Sequence, residues 1–214
     1  MVVLVCGNSK DRKKKGKNKS GENEGDFEKI FRHNTKGGLF RPDNVKRKES
    51  NNAEADLFSK LEFLDDSYKN QEGKFHFKIC YPDIENIEKC NEWKQTSNPV
   101  KHGKITGFEA VGNLSFTENG VGEPWGGLGK SDKESHTLID DTGSDSKWNM
   151  AVGAFKHEDK DKKTIPGPKG ETKIKQVELY VKKGMFLFSH LLTIPLIVLR
   201  LYKRLDSVYL FLSL

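Results

Sequence analysis

The chain is short of hydrophobic residues and of catalytic motifs. Only 34% of its 214 residues are hydrophobic, whereas 32% are charged, so only part of the chain can form a packed core. It has no CxxC pair, no Cys/His quartet and no HExxH motif, which argues against a zinc site. None of its six histidines stands at a spacing from serine, cysteine or acids that indicates a catalytic triad. The sequence therefore predicts a protein that is not an enzyme.

Arginine is absent from residues 74–183. In that stretch lysines and acids are interleaved in nearly equal numbers, so most of the net charge of +6 is carried by the two ends of the chain. A nucleic-acid surface usually needs clustered positive charge on the folded part of a protein. The central stretch is therefore not predicted to bind nucleic acid.

The apolar run at the start of the chain is too short for the core of a signal peptide, and the one at the end is too short for a membrane-spanning helix. Met1–Cys6 is shorter than the apolar core of a signal peptide, which needs about 7–15 residues. It is either the remnant of a signal peptide or part of a disordered N-terminus. The tail, residues 184–214, has an apolar stretch that includes Pro195 and falls short of the roughly 20 residues of a membrane-spanning helix. Three interpretations remain: a membrane-associating segment, the precursor of a lipid anchor, or intron read-through after an exon that ends near Lys183.

Residues 1–52 predict a disordered arm. Lys10–Lys19 is strongly basic, and residues 20–52 are polar and show no sustained hydrophobic period. Such a basic run attracts polyanions, including nucleic acid and anionic membrane surfaces. The more frequent interpretation of such a run is a solvated tail without a partner.

Residues 53–70 predict an amphipathic helix of about four turns. Leu57, Leu61, Leu64 and Tyr68 recur at helical spacing, and acids lie in the expected first turn. We expect this helix to dock on the following unit or to associate with a second copy.

Residues 74–183 predict an all-β unit. Phe75, Phe77 and Ile79 alternate with polar residues at one end, and Val177–Val181 shows the same period of two at the other. Short apolar pieces separated by Gly, Asp and Pro lie between them. Six to eight short strands of this kind are typical of a β-sandwich or jelly roll.

Cys80 and Cys90 flank a proline and a predicted turn. A bridge between them is geometrically plausible, and it would contribute about 2–3 kcal/mol in the chain-entropy model. The alternative is a pair of unpaired, buried thiols in a cytosolic protein.

Seven segments of the β unit follow one another in a characteristic order. They are ICYPDIENIEKCNEWKQTSNPV (79–100), ITGFEAV (105–111), WGGLG (125–129), TLIDD (137–141), WNMAVGA (148–154), TIPGP (164–168) and KQVELYV (175–181). This order resembles a module of secreted cnidarian and other invertebrate ectodomains that is loosely fibrinogen-like or lectin-like. The resemblance implies an extracellular, disulfide-bearing unit that recognises carbohydrate or matrix components.

An acidic, glycine-containing segment offers a candidate calcium site. Asp140, Asp141 and Asp145 supply the hard carboxylate oxygens that calcium prefers. Their spacing does not match an EF-hand loop, so an Asp-rich turn that caps its own backbone is the competing interpretation.

Of the three tryptophans in the β unit, Trp125 is the best candidate for partial exposure. It lies between Pro124 and a pair of glycines, and Glu123 and Asn119 are its polar neighbours in sequence. Lectins stack sugar rings on such an indole while nearby polar groups bind the hydroxyls. Core packing is the alternative for a tryptophan in a β unit.

Two N-glycosylation acceptors, at Asn113 and Asn18, bear on the cellular compartment. Asn113 lies within the β unit and is the candidate for modification. Taken with the resemblance, it favours an extracellular recognition or adhesion module. The alternative is an intracellular interaction protein whose basic arm contacts nucleic acid.

Overall fold

The computed structural model describes residues 27–84, 90–119, 122–141, 148–160, 163–168 and 173–184. Predictions for residues 1–26, for Asp145 and for the tail beyond Gly184 lie outside these described residues. The described part is built from eleven β-strands and three single-turn 3-10 helices. The strands are β1 (Phe27–Asn34), β2 (Leu57–Ser59), β3 (Phe75–Cys80), β4 (Cys90–Gln95), β5 (Glu109–Ala110), β6 (Gly129–Lys130), β7 (Thr137–Asp140), β8 (Val152–Ala154), β9 (Ile165–Pro166), β10 (Lys173–Ile174) and β11 (Gln176–Lys182).

A six-stranded antiparallel sheet is the largest element of the fold, with strand order β2-β1-β11-β3-β4-β5. A three-stranded sheet has the order β6-β7-β8, and β9 pairs with β10. All the pairings are antiparallel. The predicted all-β class is confirmed.

The core lies against one face of the six-stranded sheet. Val181, Phe77 and Trp93 are partners across three neighbouring strands, and all three side chains are inaccessible to solvent. Ile139 and Val152, which are partners in the three-stranded sheet, belong to the same apolar cluster. Burial of each such side chain contributes about 1.5–3 kcal/mol. The two sheets therefore belong to one folded unit.

A strand, β1, lies within residues 27–52, which corrects the prediction of a disordered arm for this part of the chain. β1 lies inside the large sheet, between β2 and β11. A bulge between Lys29 and Phe31 interrupts its pairing with β11. The adjacent residues Ile30 and Phe31 are consequently both buried. This break in the two-residue alternation hides the strand from a search for sequence periodicity.

The predicted helix over residues 53–70 is wrong. The segment forms β2 and two single-turn 3-10 helices, Leu61–Phe63 and Asp66–Tyr68. Leu61 and Leu64 are buried, but they reach the core from turns rather than from one helical stripe. Pairing of β2 with β1 outweighs the local preference for a helix. The large sheet therefore includes strands that precede residue 74, where the β unit was predicted to start.

The predicted disulfide is confirmed. Cys80 and Cys90 are directly opposite each other in the pairing of β3 with β4, with Cα atoms 4.1 Å apart. The bond closes the hairpin at the end where β3 stops and β4 starts. It fixes the register of the two strands that carry Phe77 and Trp93 into the core.

The described residues contain no helix of the length and apolarity that crossing a bilayer requires.

A buried histidine makes the stability of the fold depend on pH. His33 of β1 is inaccessible to solvent, and its Nε2 donates a hydrogen bond to the Gly38 carbonyl at 2.9 Å. Its ring packs edge-on against Phe40, with centroids 5.2 Å apart. Burial disfavours the imidazolium ion and lowers the pKa of His33 from 6.5 to about 4, against the opposing effect of the hydrogen bond to Gly38.

We predict that the free energy of unfolding falls as the pH drops below 6.5. Between about pH 6.5 and pH 4 the unfolded chain binds a proton at His33 that the folded chain excludes, so the loss from this residue reaches about 2 kcal/mol at pH 5. Urea denaturation of the wild type and of His33→Gln at pH 7 and pH 5 measures it. The glutamine can keep the bond to Gly38 but does not titrate, so its loss of stability should be smaller by that amount. Equal losses in both proteins would contradict this assignment.

Candidate functional site

A polar cleft of about 840 Å³ opens at one end of the β3–β4 hairpin. The disulfide closes the other end of this hairpin, where Cys80 faces Cys90, whereas Phe75 faces Gln95 at the open end. The segment that enters β3 and the segment that leaves β4 consequently lie side by side. The residues that line the polar cleft are Asp65, Asp66, Ser67, Lys69, Thr96, Ser97, Asn98, Lys101, His102, Lys104 and Thr106.

Gln95 supports the polar cleft from the core. Its side chain is inaccessible to solvent. The amide nitrogen donates to the carbonyl oxygens of Ser97 at 2.8 Å and Leu128 at 2.9 Å. The amide oxygen accepts from the indole Nε1 of Trp93 at 2.7 Å and from the Leu128 backbone nitrogen at 3.2 Å. Both ends of the buried amide are thus paired, and they anchor the start of the loop that follows β4.

Asn98 joins the two walls of the polar cleft. Its Nδ2 donates to the Leu64 carbonyl at 2.8 Å, and its Oδ1 accepts from the Val100 backbone nitrogen at 2.9 Å. Its own carbonyl accepts from the backbone nitrogens of Lys101 and His102, at 3.1 and 3.0 Å. One buried residue therefore ties residues 64–69 to the turn that presents residues 101–104.

The acidic wall of the polar cleft is Asp65–Lys69, which includes a 3-10 turn. Asp65 Oδ1 accepts hydrogen bonds from the backbone nitrogen of Ser67 at 2.9 Å and from its hydroxyl at 2.5 Å. These bonds lower the pKa of Asp65, and the charge of Lys101 across the cleft adds to the effect. Asp66 pairs with Lys69 at 3.0 Å. Both carboxylates of this wall thus have partners within the wall.

The basic wall is the turn that carries Lys101, His102 and Lys104. All three residues are exposed, and in the part of the chain that the structure describes none lies within 4.0 Å of a carboxylate oxygen. Their nitrogen atoms are therefore available to a ligand.

At the far side of the basic wall, the backbone of residues 106–107 lies close to Thr96. The backbone nitrogen of Thr96 donates to the Thr106 carbonyl at 2.7 Å. Gly107 has a φ of +65°, and a Cβ atom there would lie 2.1 Å from the Thr96 hydroxyl. Glycine is required at this position for both its conformation and its size. The approach brings Thr96 and Thr106 to the same cleft.

Trp125 is not an exposed platform, which corrects the sequence prediction. Its side chain is only 2% exposed. The indole packs edge-on against Trp93 and Phe108, with centroid distances of 4.9 and 5.6 Å. Packing against other aromatic rings outweighs the effect of the flanking proline and glycines on which the prediction rested. A sugar ring cannot stack on it in this conformation.

Glu123 and Asn119 shape a turn rather than the polar cleft. The Asn119 side chain accepts from the Glu123 backbone nitrogen at 2.9 Å, and the Asn119 backbone nitrogen donates to the Glu123 carbonyl at 2.8 Å. Neither residue is among those that line the cleft. The predicted trio with Trp125 is not assembled as a binding surface.

The predicted calcium residues are in part buried. Asp140 accepts a 2.5 Å hydrogen bond from the Ser131 hydroxyl. Burial, and the negative charge of Asp141, raise the pKa of the Tyr81 hydroxyl. Among the described residues no group of three or more His, Cys, Asp or Glu side chains is arranged to hold a metal. Because Asp145 lies outside those residues, calcium binding stays a prediction.

Asn113 lies in an exposed loop, as a glycan acceptor requires. The hydroxyl of Ser115, the third residue of its acceptor sequence, donates to the Cys90 carbonyl at 2.8 Å. The candidate acceptor sequence therefore lies close in space to the disulfide.

Sequence reasoning did not find the polar cleft. Its walls come from segments about 30 residues apart, which only the hairpin register brings together. The signal that points to it is the polar run TSN directly after β4, followed by the basic turn KHGK at 101–104. Comparison of the chain with family models, curated proteins and solved structures gave no match.

Replacement of Asn98 by aspartate should loosen the two walls. Asn98→Asp keeps the size of the side chain but places an acceptor against the Leu64 carbonyl, so we expect a loss of about 1–3 kcal/mol in the free energy of unfolding. Urea denaturation followed by tryptophan fluorescence measures it. The matched control is Asn113→Asp in the exposed loop, for which the change should stay within about 0.5 kcal/mol. If the two variants were equally stable, the proposed role of the Asn98–Leu64 bond would be wrong.

Proposed function

We propose that this chain is a non-catalytic extracellular recognition module whose polar cleft binds carbohydrate, either free or as part of a matrix component. The observation that carries the proposal is the composition of the cleft. Carboxylates on one wall face exposed lysine, histidine and threonine donors on the other. A saccharide hydroxyl both donates and accepts, so a ring between these walls has partners on both sides.

The dimensions and support of the cleft are consistent with a small ligand. Its volume of about 840 Å³ lies within the range of roughly 300–1,000 Å³ that is usual for small-molecule sites. Gln95 and Asn98 hold its loops on a buried framework, which reduces the ordering cost of binding. No phenylalanine, tyrosine or tryptophan is among the described residues that line it. We therefore expect hydrogen bonds and charge, rather than ring stacking, to provide the affinity.

The extracellular assignment rests on the disulfide and on the resemblance to fibrinogen-like and lectin-like ectodomains. Disulfides such as Cys80–Cys90 persist mainly in oxidising compartments. We also infer that the six-stranded and three-stranded sheets are the two layers of a β-sandwich, since both contribute to one apolar cluster. The alternative, an intracellular protein that contacts nucleic acid through its basic arm, is disfavoured by the bond between the cysteines.

The compartment can be tested on the protein isolated from its own cells. We expect non-reducing peptide mass spectrometry to find Cys80 linked to Cys90 and a glycan on Asn113. Free thiols, an unmodified Asn113 and nuclear staining would instead support the intracellular alternative.

Binding in the polar cleft can be tested with a saccharide array and the full chain. We expect at least one saccharide class to bind, and Thr106→Val to weaken that binding by about 2- to 10-fold, because one hydroxyl partner is lost. Both backbone hydrogen bonds of Thr106 remain in this variant. Thr117→Val is the matched control, since Thr117 is also exposed but does not line the cleft. The absence of binding to every saccharide, or equal loss in both variants, would overturn the proposal.

A further inference from the structure

The two walls of the polar cleft differ in how their charges are compensated. On the acidic wall Asp66 pairs with Lys69 at 3.0 Å, and Asp65 accepts two hydrogen bonds from Ser67. On the basic wall Lys101 and Lys104 have no carboxylate within 4.0 Å in the described part of the chain. The lining residues include three lysines and two aspartates, so their formal charge is +1, and the two lysines without a carboxylate partner lie on the same wall.

The backbone of the basic wall is fixed although its side chains are exposed. The carbonyl of Asn98 accepts from two successive nitrogens at the start of the turn. The carbonyl of His102 accepts from the Lys130 backbone nitrogen at 2.9 Å. A Cβ atom on Gly103 would lie only 3.3 Å from the Lys130 carbonyl oxygen, so the turn is packed against β6. Lys101, His102 and Lys104 are thus presented from a preorganised support, which favours binding over a mobile loop.

An anionic group is the ligand chemistry that this wall fits. Ammonium groups form charge-assisted hydrogen bonds with carboxylate or sulfate, and such bonds are roughly twice as strong as neutral ones. In the same cleft, the oxygen atoms of Asp65 and Asp66 would repel a second anionic group. They would accept hydrogen bonds from hydroxyls instead. The cleft therefore suits one acidic group flanked by hydroxyls and disfavours a dense polyanion.

We propose that the ligand of the polar cleft is an acidic saccharide, with one carboxylate or sulfate on Lys101 and Lys104 and with ring hydroxyls that donate to the acidic wall. The inference rests on the proposed function, because it names the class of carbohydrate for the same site. It also assigns the two lysines as specificity-determining residues that select the acidic sugar over its neutral counterpart.

The test compares three monosaccharides on the full-length chain. Methyl glucuronide carries a carboxylate, glucose 6-sulfate carries a sulfate, and methyl glucoside is neutral. Titrations followed by amide NMR shifts give the dissociation constants and show whether residues 96–106 respond. We expect at least one acidic sugar to bind ten-fold or more tightly than the glucoside, and its affinity to fall as sodium chloride is raised. The tighter of the two acidic sugars identifies the anionic group. Single charges are used because the basic run at Lys10–Lys19 would attract a polyanion independently of the cleft.

Two double variants distinguish binding in the polar cleft from general attraction to positive charge on the surface. In Lys101→Ala/Lys104→Ala the preference for the acidic sugar should fall to about two-fold or less. The matched control is Lys36→Ala/Lys175→Ala, which removes two exposed lysines that do not line the cleft and should keep the preference. Circular dichroism and the urea midpoint check that each variant is folded.

The outcomes distinguish the two proposals. If acidic and neutral sugars bound equally well and shifted residues 96–106, the acidic-ligand proposal would be overturned while the proposed function stood. If the double variant kept the preference, the assignment of Lys101 and Lys104 would be wrong. If no sugar bound at all, both proposals would fall together.

Discussion

The register of the β3–β4 hairpin is the constraint on which the rest of the structure depends. A covalent bond between Cys80 and Cys90 fixes this register at one end. A slip by one residue would move every side chain of a strand to the opposite face, and Phe77 and Trp93 would then leave the core. The same register places Phe75 opposite Gln95, so the segments that become the cleft walls leave the sheet as neighbours. The disulfide thus fixes the relative positions of residues both in the apolar core and in the walls of the polar cleft.

Two buried amide side chains connect the core to the loops that form the polar cleft. Gln95 bonds to Trp93 and to the Leu128 backbone within the interior, and Asn98 bonds across to Leu64. Buried polar groups are costly unless they are fully paired, and here both amides find partners on segments distant in sequence. The cost of burying them is offset only when those segments take their native positions. Polar chemistry therefore specifies the geometry of the loops, while apolar packing supplies most of the stability.

The sequence was informative where structure is local and misleading where tertiary contacts decide. The spacing of Cys80 and Cys90 and the alternation in β3 and β11 predicted a bridge and strands that are present. The helical spacing from Leu57 onward competed with pairing to β1, and the pairing prevailed. β1 itself was missed because a bulge buries adjacent residues. Trp125 was expected at the surface, but the aromatic partner that buries it comes from a distant strand. The cleft required the register of two strands, which no local pattern encodes.

The two ends of the described unit lie next to each other. Phe27, the first residue of β1, is paired with Lys182 near the end of β11. Gly184 then runs so close to the backbone of Ser67 and Lys69 that a Cβ atom would lie 2.4 Å from the Lys69 carbonyl oxygen. Phe27 and Gly184 therefore lie at the same end of the large sheet, and Gly184 lies against the acidic wall. Any side chain in place of Gly184 would displace the Ser67 and Lys69 backbone, so the shape of the cleft depends on the residues that follow the last strand of the large sheet.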